Sequence, residues 1–176
     1  MNLPNTLTVS RFFLVPVFAF CFFFVNNEVA FVVLLISGIT DVLDGHFARK
    51  FLLTSETGAM LDPLADKAMM VTTIAVLVAD ARIHWLIGLL VGLREICMIA
   101  VALMGRSRSR QPIAANQLGK WTTFIYYALF SAVILGLLES TAADVLVMLT
   151  FIFSIFVSAY YARLMFGDQT KKHIRG

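Results

Sequence analysis

The sequence predicts an all-α integral membrane protein: six transmembrane helices with a short N-terminal interfacial amphipathic helix before them. Three observations carry this prediction. Hydrophobic residues make up 60% of the 176 residues, and the mean hydropathy of +0.86 is well outside the range of soluble domains. The apolar residues fall into six runs separated by short polar breaks, and the basic residues collect at alternate breaks. A helix needs about 20 apolar residues to cross the hydrocarbon core. The chain therefore reads as a single membrane domain, 1–176, with no room for a soluble one.

At the start, MNLPNTLTVSR mixes Leu3, Leu7 and Val9 with Asn5, Thr6, Thr8 and Ser10, the pattern of a helix lying in the interface. The first span follows at 11–26. It resembles the front of a secretory signal, but no small-x-small cleavage pattern precedes Asn26, Asn27 and Glu28, so it reads as retained. Pro16 is tolerable there, because neighbouring helices can satisfy the freed carbonyl. The remaining spans are predicted at 29–51, 57–79, 84–104, 117–138 and 142–166.

The breaks at 26–28, 80–84 and 138–141 carry one basic residue, Arg82. The other side holds Arg49, Lys50, Arg106, Arg108, Arg110, Lys120, Lys171, Lys172 and Arg175. The positive-inside rule then puts both termini in the cytoplasm of a multi-pass protein of the cell's inner membrane. Residues 106–110 alternate Arg and Ser and read as a mobile cytoplasmic loop. The net charge of +3 follows from this asymmetry, so anionic membrane lipid is the partner it implies and nucleic acid is not.

Cys21 and Cys97 lie inside apolar runs and read as small buried hydrophobes. His46, His84 and His173 have no metal-ligand spacing.

The chemistry concentrates between Asp41 and Asp66. Asp41 and Asp44 are three apart and Asp62 and Asp66 four apart, so each pair projects from one face of its helix. Folding the chain about residue 53 brings Asp44 level with Asp62 and Asp41 level with Asp66. All four then lie about 13 to 20 Å from the turn, below the headgroups on the cytoplasmic half. Four carboxylates at one depth in low dielectric require cations or protons. Oxygen-only ligands select Mg²⁺, Mn²⁺ or Ca²⁺, and two such ions on carboxylates are common apparatus for phosphoryl-type transfer. Gly45 and Gly58 would admit a ligand or helix closely, and Arg49 is placed to meet phosphate oxygens. A competing reading is an ion pathway, or aspartates paired with Arg49, Lys50 and Lys67 at the membrane edge. Pairing accounts for one or two carboxylates but not for four at matched depths.

This run fits D-x2-D-G-x2-A-R-x8-G-x3-D-x3-D at Asp41, Asp44, Gly45, Ala48, Arg49, Gly58, Asp62 and Asp66. In this the chain resembles the CDP-alcohol phosphotransferase family, a likeness extended by LPNTLTVSR, the six-span layout and the length. The resemblance implies transfer of a phosphatidyl-type group from a CDP-linked lipid to an alcohol, with release of CMP. It further implies that Asp41, Asp44 and Asp62 hold two Mg²⁺ or Mn²⁺ ions. Asp66, also a candidate metal ligand, would take the proton of the attacking hydroxyl, and Gly45, Ala48, Arg49 and Gly58 would hold the CDP part. Members of the family are commonly homodimers.

Arg94 and Glu95 fall near the level of the carboxylates. Arg94 either pairs with Glu95 or a site aspartate, or clamps an acceptor phosphate together with Lys120 and Arg110. The DPLADK ending at Asp62 and Lys67, with Arg94, Glu95, Gly119 and Lys120, resembles the branch of the family that joins CDP-diacylglycerol to glycerol 3-phosphate. That branch favours an arginine where Ala102 stands and a glutamine where Tyr126 stands. Relatives that use phosphatidylglycerol as acceptor share the DPLADK and glycine-lysine features. A small phosphate monoester suits Arg94, Arg110 and Lys120, so glycerol 3-phosphate is the expected acceptor. A transporter or channel would need polar residues recurring along a through-path, and the later spans hold only scattered Ser and Thr.

Overall fold

The computed structural model describes residues 3–51, 56–108 and 117–173, with side chains described for 10–40, 64–100 and 121–159. Six helices follow in order: α1 Leu3–Phe24, α2 Asn27–Phe51, α3 Glu56–Ala79, α4 Trp85–Arg108, α5 Gln117–Ile134 and α6 Ser140–His173. No strand occurs among the described residues.

Each helix turns one narrow stripe inward. In α2 the buried positions are Ala30, Val33, Leu34 and Ser37, and in α6 they are Ala143, Val147, Thr150, Ser154 and Val157, the three-and-four spacing of one helix face. The opposite faces are apolar too: Phe24 is 75% exposed, Phe156 71% and Phe13 70%. Polar and charged groups go inside instead, Arg11, Thr73, Glu95 and Ser154 among them. Soluble monomers rarely expose contiguous apolar surface on this scale, so the outer face suits a lipid solvent. One described stretch, Ser140–Ala159, is long and apolar enough to cross a membrane by length and composition; Ser10–Phe24, Asn27–Thr40 and Trp121–Ile134 are shorter apolar stretches.

Helix α1 packs most extensively against α2 and α3, α3 continues onto α4, and α5 pairs with α6. Lighter contacts from α5 to α2 and α3, and from α4 to α6, close the bundle. At Gly88 an added Cβ would stand 2.2 Å from Val78 Cγ2, so this glycine sets how closely α4 approaches α3.

Local chemistry fixes the ends. Asn26 caps α2 by accepting the Val29 N–H on Oδ1 at 2.7 Å. Helices α3 and α5 end alike, with a left-handed residue and the paired backbone bonds of a Schellman motif. Arg82 N–H reaches Leu77 O and Ala81 N–H reaches Val78 O, and likewise Leu137 to Ala132 and Gly136 to Val133. The left-handed residues are Ala81, φ 55°, and Gly136, φ 69°.

The residues predicted as spans fall on the six helices, with four differences beyond a few residues at an edge, the first being α6, which runs on to His173 rather than 166. Residues 3–11 form one helix with the first span, which also runs through Pro16, rather than a separate N-terminal element. Helix α4 continues to Arg108, so Arg106 and Arg108 are helical rather than loop. Helix α5 ends at Ile134 because Gly136 turns the chain. Cys21 is buried as expected, whereas Cys97 is exposed; neither is bonded.

The three connections expected outside do share one end. Arg82 Nη1 donates to Val133 O at 3.0 Å and Ile134 O at 2.9 Å, the last carbonyls of α5. Its Nε meets Asp80 Oδ2 at 2.5 Å, and its guanidinium lies 5.1 Å from the centroid of the Phe22 ring on α1. Beside it, Asp144 of α6 accepts the His84 N–H at 2.8 Å. The single basic residue of that side is therefore a fastener between helix ends.

Candidate active site

Asp66 and Lys67 lie on α3 next to the buried stripe of Ala65, Met69 and Thr73. Glu95 extends the inward stripe of Gly88 and Val91 on α4, which places its carboxylate at 0% exposure. Tyr126 belongs to the inward face of α5, stacked on Phe130 at 5.7 Å between ring centroids. Tyr127 stands on its flank, half-buried.

These residues form one chain of polar contacts across three helices. Tyr127 Oη donates to Asp66 Oδ1 at 3.2 Å. Lys67 Nζ lies 3.9 Å from Asp66 Oδ2 but only 2.6 Å from Glu95 Oε2. Arg94 Nη1 pairs with Glu95 Oε1. The Lys67 contact is ionic, its angles being poor for a hydrogen bond, and Arg94 Nε is buried without a hydrogen-bond partner among the described residues. Nearby, the Tyr126 hydroxyl lies beside Ser154 and in the field of Arg94 and Glu95.

The charges explain one another. A fully buried carboxylate needs close cations, and Glu95 has two. That leaves one surplus positive charge next to Asp66, which balances the set as two acids and two bases. Of the two readings of Arg94, the described contacts are those of pairing with Glu95. Lys67, expected at most to pair with an aspartate at the membrane edge, is drawn instead to Glu95.

Asp41, Asp44, Gly45, Ala48 and Arg49 lie on α2 and Gly58 and Asp62 on α3, two helices that pack together. Their side chains, and that of Lys120 in the first turn of α5, are outside the described residues, as is Arg110 altogether. Helical backbone at 41–51 and 56–66 is what the same-face spacing of both aspartate pairs requires. Among the described residues no group of three or more His, Cys, Asp or Glu gathers that could hold a metal ion.

Sequence reasoning missed Tyr127. Its signal was present, because a phenol within an apolar span seeks a partner. The partner was not legible, being 61 positions away in the chain.

Comparison with known proteins bears on these residues. A family model described as CDP-alcohol phosphatidyltransferase matches residues 1–157. The chain is 36% identical over 128 residues to a CDP-diacylglycerol–glycerol-3-phosphate 3-phosphatidyltransferase of Haemophilus influenzae, covering 69% of each chain. It is 31% identical over 139 residues to the protein of that name from Rickettsia felis, covering 77% of this chain and 76% of that one. It is also similar to a cardiolipin synthase (CMP-forming) / mitochondrial hydrolase fusion protein of Schizosaccharomyces pombe, 37% identical over 109 residues, or 61% of this chain and 18% of the other.

Proposed function

The chain belongs to the CDP-alcohol phosphatidyltransferase family, and on that premise we propose that it transfers a phosphatidyl group from CDP-diacylglycerol to the hydroxyl of glycerol 3-phosphate. The products are CMP and phosphatidylglycerophosphate, a step of phospholipid biosynthesis. The observation that carries the reading is the unbroken set of eight signature positions from Asp41 to Asp66, in a chain whose bacterial relatives bear that activity in their names.

The donor set fits a hard divalent ion. It consists of carboxylates on two packed helices, and the nearest described cation to Asp66 Oδ2, Lys67 Nζ at 3.9 Å, is beyond hydrogen-bond length. Asp41, Asp44, Asp62 and Asp66 would hold two Mg²⁺ or Mn²⁺ ions, which when bound offset the charge of the diphosphate and of the departing CMP. Asp66 accepts the proton of the attacking hydroxyl. Gly45, Ala48, Arg49 and Gly58 seat the CDP part, the small residues letting it approach the helix backbone and Arg49 meeting its phosphates. Arg94, Arg110 and Lys120 receive the acceptor's phosphate, Arg94 with its charge already shared with Glu95. The six helices span the inner membrane with both termini and the site on the cytoplasmic side. Diacylglycerol then stays in lipid while the soluble acceptor arrives from water.

Likeness to the S. pombe fusion protein favours a second reading, with phosphatidylglycerol as acceptor and cardiolipin as product. One experiment separates them. Purified protein receives Mg²⁺ or Mn²⁺, CDP-diacylglycerol and one acceptor at a time, and CMP and lipid mass are recorded. Phosphatidylglycerophosphate with glycerol 3-phosphate supports the first reading. Cardiolipin alone replaces it with the second, and no CMP with any alcohol sinks both.

A further inference from the structure

From the contact between Tyr127 and Asp66 we infer that Tyr127 is a positioning residue for the transfer reaction, its phenol fixing the plane of the Asp66 carboxylate; this rests on reading Asp66 as the proton acceptor. An aspartate side chain has two free torsions, and a base works well only when its oxygen is held within about half an ångström of the position from which it takes the proton. Lys67 does not supply that restraint. Its ammonium is a non-directional charge 3.9 Å from Oδ2 and is drawn 2.6 Å from Glu95 on the next helix.

The Tyr127 hydroxyl does supply it. It is a directional donor on Oδ1 at 3.2 Å, carried on a rigid ring with few torsions of its own. The ring is partly buried and packed against the hydrophobic core of the bundle. Helix α5 touches α3 only lightly, so this bond is also a means by which the position of α5 is felt at Asp66.

The test uses the full chain in detergent or nanodiscs. Tyr127→Phe is expected to lower kcat about tenfold or more, the worth of a hydrogen bond to a charged group, with KM for CDP-diacylglycerol and affinity for CDP within about twofold of the parent. In an Asp66→Asn background the same substitution is expected to add nothing, since its effect runs through that carboxylate. At position 127, 4-aminophenylalanine, which keeps an N–H donor, should retain most of the turnover. The isosteric 4-methylphenylalanine should not, and this pair decides the matter if the Phe variant fails to fold. Unchanged kcat in folded Tyr127→Phe overturns the inference while Asp66 as base stands, provided Asp66→Asn itself loses about 10²-fold or more in kcat. A raised KM, weaker CDP binding, or an equal loss in the Asp66→Asn background also overturns it, by making Tyr127 a binding or packing residue. Full turnover in Asp66→Asn removes the base assignment itself, and the inference with it.

Discussion

Glu95 is the residue on which the interior charge balance turns. Its carboxylate is inaccessible to water and faces Lys67 and Arg94 together, so Glu95→Gln leaves two cations with one neutral partner. Breaking a buried pair costs on the order of 3 to 5 kcal/mol. Accordingly Glu95→Gln is expected to lower the melting temperature in detergent by many degrees, and a parental melting curve would show that the pairs contribute nothing. The aspartates make a different prediction: their replacement is expected to remove function and spare the fold. Asp41→Asn, Asp44→Asn and Asp62→Asn should each abolish CMP release, and Asp66→Asn should lower kcat by about 10² to 10⁴. Chelation with EDTA should abolish it as well, with Mg²⁺ or Mn²⁺ restoring it; full activity in any one aspartate variant rules out the two-metal assignment. The placement of these aspartates on two helices was legible in the sequence because they follow helical spacing within 26 residues. Tyr127 and the Lys67 to Glu95 contact were not, because they join residues 61 and 28 positions apart, and only the packing of three helices sets those distances.

At the scale of elements, helix ends decide where each span stops. Gly136 and Ala81 do the same left-handed work at the ends of α5 and α3, but an L-residue there carries about 1 to 2 kcal/mol of strain that glycine does not. No atom would lie within 4 Å of a Cβ added at Gly136, so Gly136→Ala should destabilise by about that amount through backbone alone. Ala81→Gly should be neutral or stabilising by up to about 1 kcal/mol, since glycine also frees the unfolded chain. Thermal melts of both variants check the pair, and equal shifts in one direction would refute the assignment. Arg82 closes the same ends from the side chain. Arg82→Met keeps the stem and forfeits both carbonyl bonds and the Phe22 contact, with an expected loss of about 1 to 3 kcal/mol; a stability equal to the parent would reduce Arg82 to a surface charge. The start of α5 was read correctly and its end was not. Apolar Leu135, Leu137 and Leu138 extend the hydropathy signal past the glycine that turns the backbone. The N-terminal segment erred the other way, because its polar residues broke the apolar run without breaking the helix.

For the whole molecule, the distribution of polarity is the reverse of a water-soluble bundle. Phenylalanine and leucine cover the outside, while Ser, Thr, Arg and Glu populate the stripes between helices. Association of such helices rests on close packing and internal polar contacts, since lipid is as apolar as the surfaces it covers. Arg82, the sole basic residue of the 26–28, 80–84 and 138–141 connections, is already engaged by Asp80 and the α5 carbonyls. In a variant lacking Cys21 and Cys97, a cysteine at Glu139 should react with an impermeant maleimide on intact spheroplasts. One at Lys171 should react only after lysis, and the opposite pattern would invert the topology.

The pairing of Lys67 and Arg94 with Glu95 also bears on biogenesis. All three residues lie on α3 and α4, so with Asp66 these four charges cancel before the ribosome has made α5. They can leave the translocon as a balanced set. Tyr127 arrives afterwards, and Asp66 acquires its directional donor only when the fifth helix docks. The order of synthesis thus delays completion of the site until the bundle that shelters it is nearly built.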